Sequence, residues 1–228
     1  MRLSRFPALA AGLMAAAALA AALVPALATV PAAAADRAAD DGFAKRMFAG
    51  SLPDPKAYAC FVRRYDAEHL RQHPLQKVSV MRLLISTETD ADFPNLQYAF
   101  RLGVNFRDRR GDFNSSGDCG HAPTVQDPAD ADIPAADRVT LPAEIDFQCD
   151  VDCDGGGISV SLAAADKAVI VKLDHIRIWK GNAPDSEAAG ALEAGADDKA
   201  FRLDRTGLSD CSSLAADRKE LAAMRRKR

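Results

Sequence analysis

Residues Asn95 to Phe106 read NLQYAFRLGVNF, where Leu96, Tyr98, Phe100, Leu102, Val104 and Phe106 alternate with Gln97, Ala99, Arg101, Gly103 and Asn105. A period of two places the six apolar side chains on one face of an extended chain, as a half-buried antiparallel strand requires. The same alternation recurs at Tyr58 to Arg64, Lys77 to Thr87, Ile145 to Cys153, Ile158 to Leu162, Ala168 to Trp179 and Lys199 to Arg205, with turn residues between them. Each strand must cover its apolar face with another sheet or with the far wall of its own. The sequence therefore predicts an all-β fold, an antiparallel sandwich or small closed barrel of about seven strands.

Helix is scarce. Asp66 is placed to cap a short turn through AEHLRQH, which Pro74 ends because proline cannot continue a helix. The C-terminal LAADRKELAAMRRKR has helical composition and cations suited to a helix C-terminus, with few apolar residues to dock it, so residues 212–228 read as a basic tail, helical or frayed.

The chain begins with a short basic run containing Arg2 and Arg5, followed by an apolar stretch from Phe6 to Val24 and by small residues with A-x-A sites at Ala26–Ala28 and Ala33–Ala35. This is the order of a secretory signal, and residues 1–35 are read as a cleaved one. The rest divides into a flexible leader over 36–56, a single β domain over 57–211 with long loops at 122–143 and 181–198, and the tail. No segment after the signal is apolar enough to span a membrane. The expected location is periplasmic or secreted.

The net charge is −3, and it grows more negative once Arg2 and Arg5 leave with the signal. Basic residues gather in the tail and in the early strands, at Arg63, Arg64, Arg101, Arg107, Arg109 and Arg110, while acidic residues dominate after Cys119. An acidic body argues against nucleic acid as the main partner.

Five cysteines, Cys60, Cys119, Cys149, Cys153 and Cys211, follow the signal, and an exported chain meets an oxidising compartment where thiols pair. An odd number leaves one over. In the strand IDFQCDVDC, alternation puts Cys149 and Cys153 on one face, and four residues of strand span about 13 Å where bridged Cα atoms sit within about 7 Å. The two must look elsewhere. The expected pairs are Cys119 with Cys149 and Cys60 with Cys211, leaving Cys153 as a free thiol.

The segment DVDCDGGG carries Asp150, Asp152 and Asp154 before Gly155 and locally resembles the DxDxDG start of EF-hand calcium loops. Alternate aspartates supply hard oxygens, and the resemblance implies these three residues as calcium ligands. Ser161 stands where that pattern has its bidentate glutamate, and ISVSL alternates like a strand instead of opening a helix. A hairpin turn through Asp154 and Gly155–Gly157 explains the same residues, glycine supplying positive φ.

His69 and His73, four apart in the short helical turn, have the spacing for a shared metal but lack a third ligand. Cys119 and His121 are the closest pair of soft ligands, and His175 stands apart from any nucleophile motif. Arg110-Gly111-Asp112 lies in an expected hairpin turn, where glycine and aspartate have backbone reasons to occur. With no catalytic constellation in the sequence, the expected function is an exported, non-catalytic binding or structural protein of the bacterial cell envelope, holding a protein or glycan. The alternatives are a calcium-binding β module built on DVDCDGGG and a metal-dependent enzyme whose residues converge only in three dimensions.

Overall fold

A computed structural model describes residues 41–50, 55–90, 93–121, 147–152, 154–181 and 190–226. The expected signal over 1–35, the loop over 122–143 and the free thiol of Cys153 lie outside the described residues.

Among the described residues ten strands form, all paired antiparallel: β1 (Lys56–Arg64), β2 (Val78–Asp90), β3 (Phe93–Phe106), β4 (Phe113–His121), β5 (Phe147–Asp150), β6 (Gly157–Ala163), β7 (Ala168–Lys172), β8 (His175–Lys180), β9 (Gly190–Glu193) and β10 (Ala200–Thr206). Strands β1 to β7 are neighbours in chain order, β10 pairs with both β7 and β1, and the pairing of β3 with β4 completes the ring. The result is a closed barrel of eight strands, so of the two architectures expected the sandwich is set aside. Closure leaves no free edge around the ring. The hairpin β8–β9 stands outside it, attached where Phe113 and Asn114 of β4 pair with Lys180 and Trp179.

Alternation sorts the side chains as the sequence indicates. Tyr98, Phe100, Leu102, Val104 and Phe106 of β3 point inward, to meet Ala59 and Phe61 of β1, Leu83 and Ile85 of β2, Phe147 of β5, Val160 of β6, Val171 of β7 and Phe201 of β10. The interior is a packed core, with Phe61, Phe100, Phe147 and Phe201 all fully buried. Fully burying side chains of this size stabilises by about 1.5–3 kcal/mol each.

Strand β1 is buried on both faces. Its outward residues Tyr58, Cys60 and Val62 pack with Leu84 of β2 against Cys211, Leu214 and Met224 of the C-terminal segment. That segment is a 3-10 turn η1 (Leu208–Leu214) followed by helix α3 (Arg218–Arg226), and the Cys60–Cys211 disulfide bonds it to the wall. Of the two readings of the tail, the helical one holds and the frayed one is corrected over residues 212–226: Met224 and the disulfide supply the docking that its composition understated.

The flexible leader is a second correction. Residues 41–47 form helix α1, whose Phe43, Ala44 and Met47, with Phe48 just after it, join the barrel core. Phe43 sets its ring edge against Phe147 (centroids 4.3 Å apart), Tyr98 and His121, so α1 plugs one mouth of the barrel. Arg205 holds it there, its guanidinium donating to the carbonyls of Met47 (2.7 Å) and Arg46 (3.1 Å) at the end of the helix, where carbonyls lack partners. Burial lowers the Arg205 pKa, and Asp166 opposes the shift.

The helical turn is α2 (Ala67–Gln72), capped as expected by Asp66, whose Oδ1 accepts from His69 N–H at 2.8 Å. The loop expected over 181–198 is corrected in part, since 190–193 is strand β9. The single strand expected over Ala168–Trp179 is two, parted at Leu173 and Asp174 where the chain leaves the ring. Among the described residues no helix is long and apolar enough to cross a membrane.

Candidate functional site

The aspartate run is the turn from β5 to β6. Asp150 ends β5 and accepts from the Gln148 amide (3.3 Å), Val151 N–H donates to Gly156 O (2.9 Å), and Asp154 takes a left-handed φ of 58°. Gly156 is required twice, by its φ of 68° and because a Cβ there would lie 2.2 Å from the carbonyl of His175. Among the described residues no group of three or more His, Cys, Asp or Glu side chains is placed to hold a metal ion, so Asp150, Asp152 and Asp154 are not brought round one point. Cys153 lies outside the described residues.

His69 and His73 are stacked, with ring centroids 4.3 Å apart, and Tyr65 continues the stack at 4.5 Å from His69. His69 Nε2 donates to Gln76 Oε1 (3.0 Å), and His73 Nδ1 lies 4.0 Å from Asp197. Through Gln76, which donates to Val78 O, His69 ties α2 to the start of β2. Beneath it Asp198 is fully buried, accepting from the backbone N–H groups of Lys77 and Val78. Burial raises its pKa, and those two hydrogen bonds oppose the shift. His175 Nδ1 meets Glu193 Oε1 at 2.6 Å across β8–β9, an exposed pair. Cys119 is bonded to Cys149, which removes it as a soft ligand beside His121.

The early arginines do not form one patch. Arg63 lies over the Tyr65 ring, Arg64 reaches Asp210, Arg107 donates to the carbonyls of Leu70, His73 and Pro74, and Arg109 covers the rings of Phe106 and Phe113. Arg110-Gly111-Asp112 sits at the tip of the β3–β4 hairpin with Gly111 at φ 124°, as a turn requires, and the Asp112 carboxylate accepts from Asn105 (2.8 Å).

Among the described residues several concave surfaces lie on the outside of the barrel, three of them on the walls of β1–β7. A groove of about 560 Å³ follows the cross-strand row Gln148, Ser159 and Lys172, with Asp174, His175 and Lys199 at its side. A second of about 610 Å³ runs between α3 and the β1–β2 wall, lined by Lys56, Tyr58, Glu88, Lys219, Glu220 and Arg226. The third is a crevice of about 160 Å³ between β3–β4 and the end of η1.

A polar network divides the second surface from the third. Arg101, on the outward face of β3, donates to Glu220 Oε2 at 2.6 Å, with the Arg side chain 26% and the Glu side chain 8% exposed. Glu220 Oε2 also accepts from Ala216 N–H, while Asp217 accepts from Glu220 N–H, so the two acids cap the start of α3 reciprocally. The Tyr58 hydroxyl faces the same carboxylate. Burial, then repulsion by Glu220, pushes its pKa up to about 12, with Arg101 opposing. A buried ion pair, a phenol held neutral and a desolvated wall form a preorganised set of polar groups beside a concavity. Sequence reasoning missed Tyr58, Arg101 and Glu220 as a group, although Asp217-Arg218-Lys219-Glu220 carries the spacing of a capping box that marks the helix start.

Comparison of the chain with known protein families, with curated proteins and with solved structures finds no match.

Proposed function

We propose that the chain is a non-catalytic binding module exported to the bacterial cell envelope, with a rigid barrel that presents a protein or glycan site on its outer wall. The observation that carries this reading is the filled interior: with Phe61, Phe100, Phe147 and Phe201 packed at its centre, the barrel leaves recognition to its outside. Two disulfides fit an oxidising compartment and stiffen the wall. The face between α3 and β1–β2 is the best candidate surface, because its polar groups are already ordered before a ligand arrives.

The test is capture of envelope components by the immobilised chain from residue 36 onward, in calcium and in chelator. The expected result is capture that survives chelation, is abolished by Lys219→Glu with Arg226→Glu, and is retained by Lys172→Glu with Lys199→Glu on the other groove. Capture that requires calcium would restore the aspartate run as the working element. Loss confined to the second pair of variants would move the site to the β5–β7 wall.

A further inference from the structure

Helix α3 reads RKELAAMRR, and its side chains divide by burial: Glu220 and Met224 turn to the barrel wall, whereas Arg218, Lys219, Ala222, Arg225 and Arg226 are exposed. The exposed five stand at i, i+1, i+4, i+7 and i+8, which is one face of a helix. That outer face therefore carries four cations and one methyl group. Among the described residues none of the four forms an ion pair: Glu220 is taken by Arg101, and Glu88 across the groove by Lys56. The sequence continues with Lys227 and Arg228, so residues 217–228 hold six cations and two acids on a chain of net charge −3.

Helix stability explains only part of this pattern. Arg225 and Arg226 in the last turn suit the negative end of the helix dipole, but Arg218 and Lys219 stand in the first turn, at its positive end, where cations are disfavoured. The four cations also repel one another. A helix kept only to cover the wall has no reason to accept either cost, and an anionic surface outside the protein removes both.

The chemistry of the face narrows what that surface is. It is convex and offers neither acceptors nor an apolar wall, so it lacks the shape and the mixed polar set that a discrete sugar or peptide requires. Only Ala222 lies among the cations, so nothing is available to insert into hydrocarbon and the contact is peripheral. What such a face reads is charge density. Three of its four cations are arginines, whose planar forks match phosphate oxygens bidentately, and they span about 12 Å of helix axis, as a plane of lipid phosphates allows. The Cys60–Cys211 disulfide and the Arg101–Glu220 pair fix α3 to the wall, so docking through it orients the whole barrel.

We propose that the outer face of α3 docks the barrel on a membrane surface bearing anionic phospholipid, through electrostatic contact with the lipid phosphates. The proposal goes beyond the reading of the chain as a binding module, since it says where the barrel sits and leaves open what it holds.

The full mature chain, disulfides intact, is co-sedimented with vesicles of equal parts phosphatidylglycerol and phosphatidylcholine, and with vesicles of phosphatidylcholine alone. Binding to the anionic vesicles only is expected, with release at about 1 M salt, where the Debye length falls to about 3 Å. Arg218→Ser with Arg225→Ser should weaken that binding about twenty-five-fold, each cation near an anionic surface contributing about fivefold, and should leave the melting temperature of the free protein little changed. Lys172→Ser with Lys199→Ser, the same loss of charge on the groove beside β7, should leave vesicle binding nearly unaltered. No binding, equal binding to the neutral vesicles, equal loss in the two pairs of variants, or binding of duplex DNA as tight as that of the anionic vesicles would overturn the proposal. Because Arg218→Ser with Arg225→Ser keeps Lys219 and Arg226, envelope capture through the groove should persist in it. Vesicle binding absent with capture intact removes the membrane face and leaves the binding barrel standing. Capture lost together with vesicle binding in this variant shows that capture was membrane retention, which upholds the membrane face and removes the groove.

Discussion

Tyr58 illustrates how far a single side chain can be read from its neighbours in sequence. In AYACFV the strand pattern makes it an outward residue, and outward residues of a barrel face water unless something covers them. Here α3 covers it, and Glu220 adds a carboxylate. The neutral phenol is thus favoured in the folded state over the unfolded one, so stability present below pH 10 is lost as pH rises from 10 toward about 12. Alkaline titration followed by tyrosinate absorbance should show a late step near 12 that Tyr58→Phe removes, and the variant should lose less stability than the parent across that interval. A step near 10 would mean that α3 does not cover the ring. The aspartate run was legible at this scale in a different way: glycines after Asp154 signalled the turn that forms, and alternate aspartates carry no information about whether their carboxylates converge.

The elements that escaped the alternation argument share a physical reason. Strand β4, FNSSGDCGH, is held by ladder hydrogen bonds to β3 and β5, and after Phe113 its inward positions are Ser115, Gly117 and Cys119, too small and polar to register as an apolar face. Gly117 must be small, since a Cβ there would lie 1.9 Å from the Asp150 carbonyl. The corner between β7 and β8 was hidden because Leu173 and Ile176 are both buried and continue the apolar pattern across it. Helix α1 carries its signal in Phe43, Met47 and Phe48, spaced for one helical face, within a polar and alanine-rich neighbourhood. If α1 is a plug, Phe43→Ala opens a cavity at the aromatic mouth and should cost about 3–5 kcal/mol in urea unfolding. A flexible leader would show no change. Arg205→Met, which removes the hydrogen bonds to the end of α1, should shift stability in the same direction.

The whole molecule depends on two covalent ties of different reach; strand geometry ruled out only a Cys149–Cys153 bond, and neither the full pairing nor the shape the ties stabilise follows from it. Alternation along each strand is the same in a sandwich and in a barrel, and only the long-range pairings of β10 with β1 and of β3 with β4 distinguish them. Cys119–Cys149 bridges adjacent strands of the ring across 30 residues, whereas Cys60–Cys211 joins the first strand to the C-terminal turn across 151. If the stabilisation comes chiefly from restricting the unfolded chain, the longer closure contributes about 5 kcal/mol and the shorter about 3.7 kcal/mol. Urea unfolding of Cys60→Ala with Cys211→Ala should therefore show the larger loss, by roughly 1 kcal/mol over Cys119→Ala with Cys149→Ala. That order holds only if η1 and α3 unfold together with the barrel. Should the Cys60–Cys211 variant lose less, or should its unfolding divide into two steps, the C-terminal segment is an independent unit resting on the wall. The groove beneath α3 would then open without disturbing the barrel core.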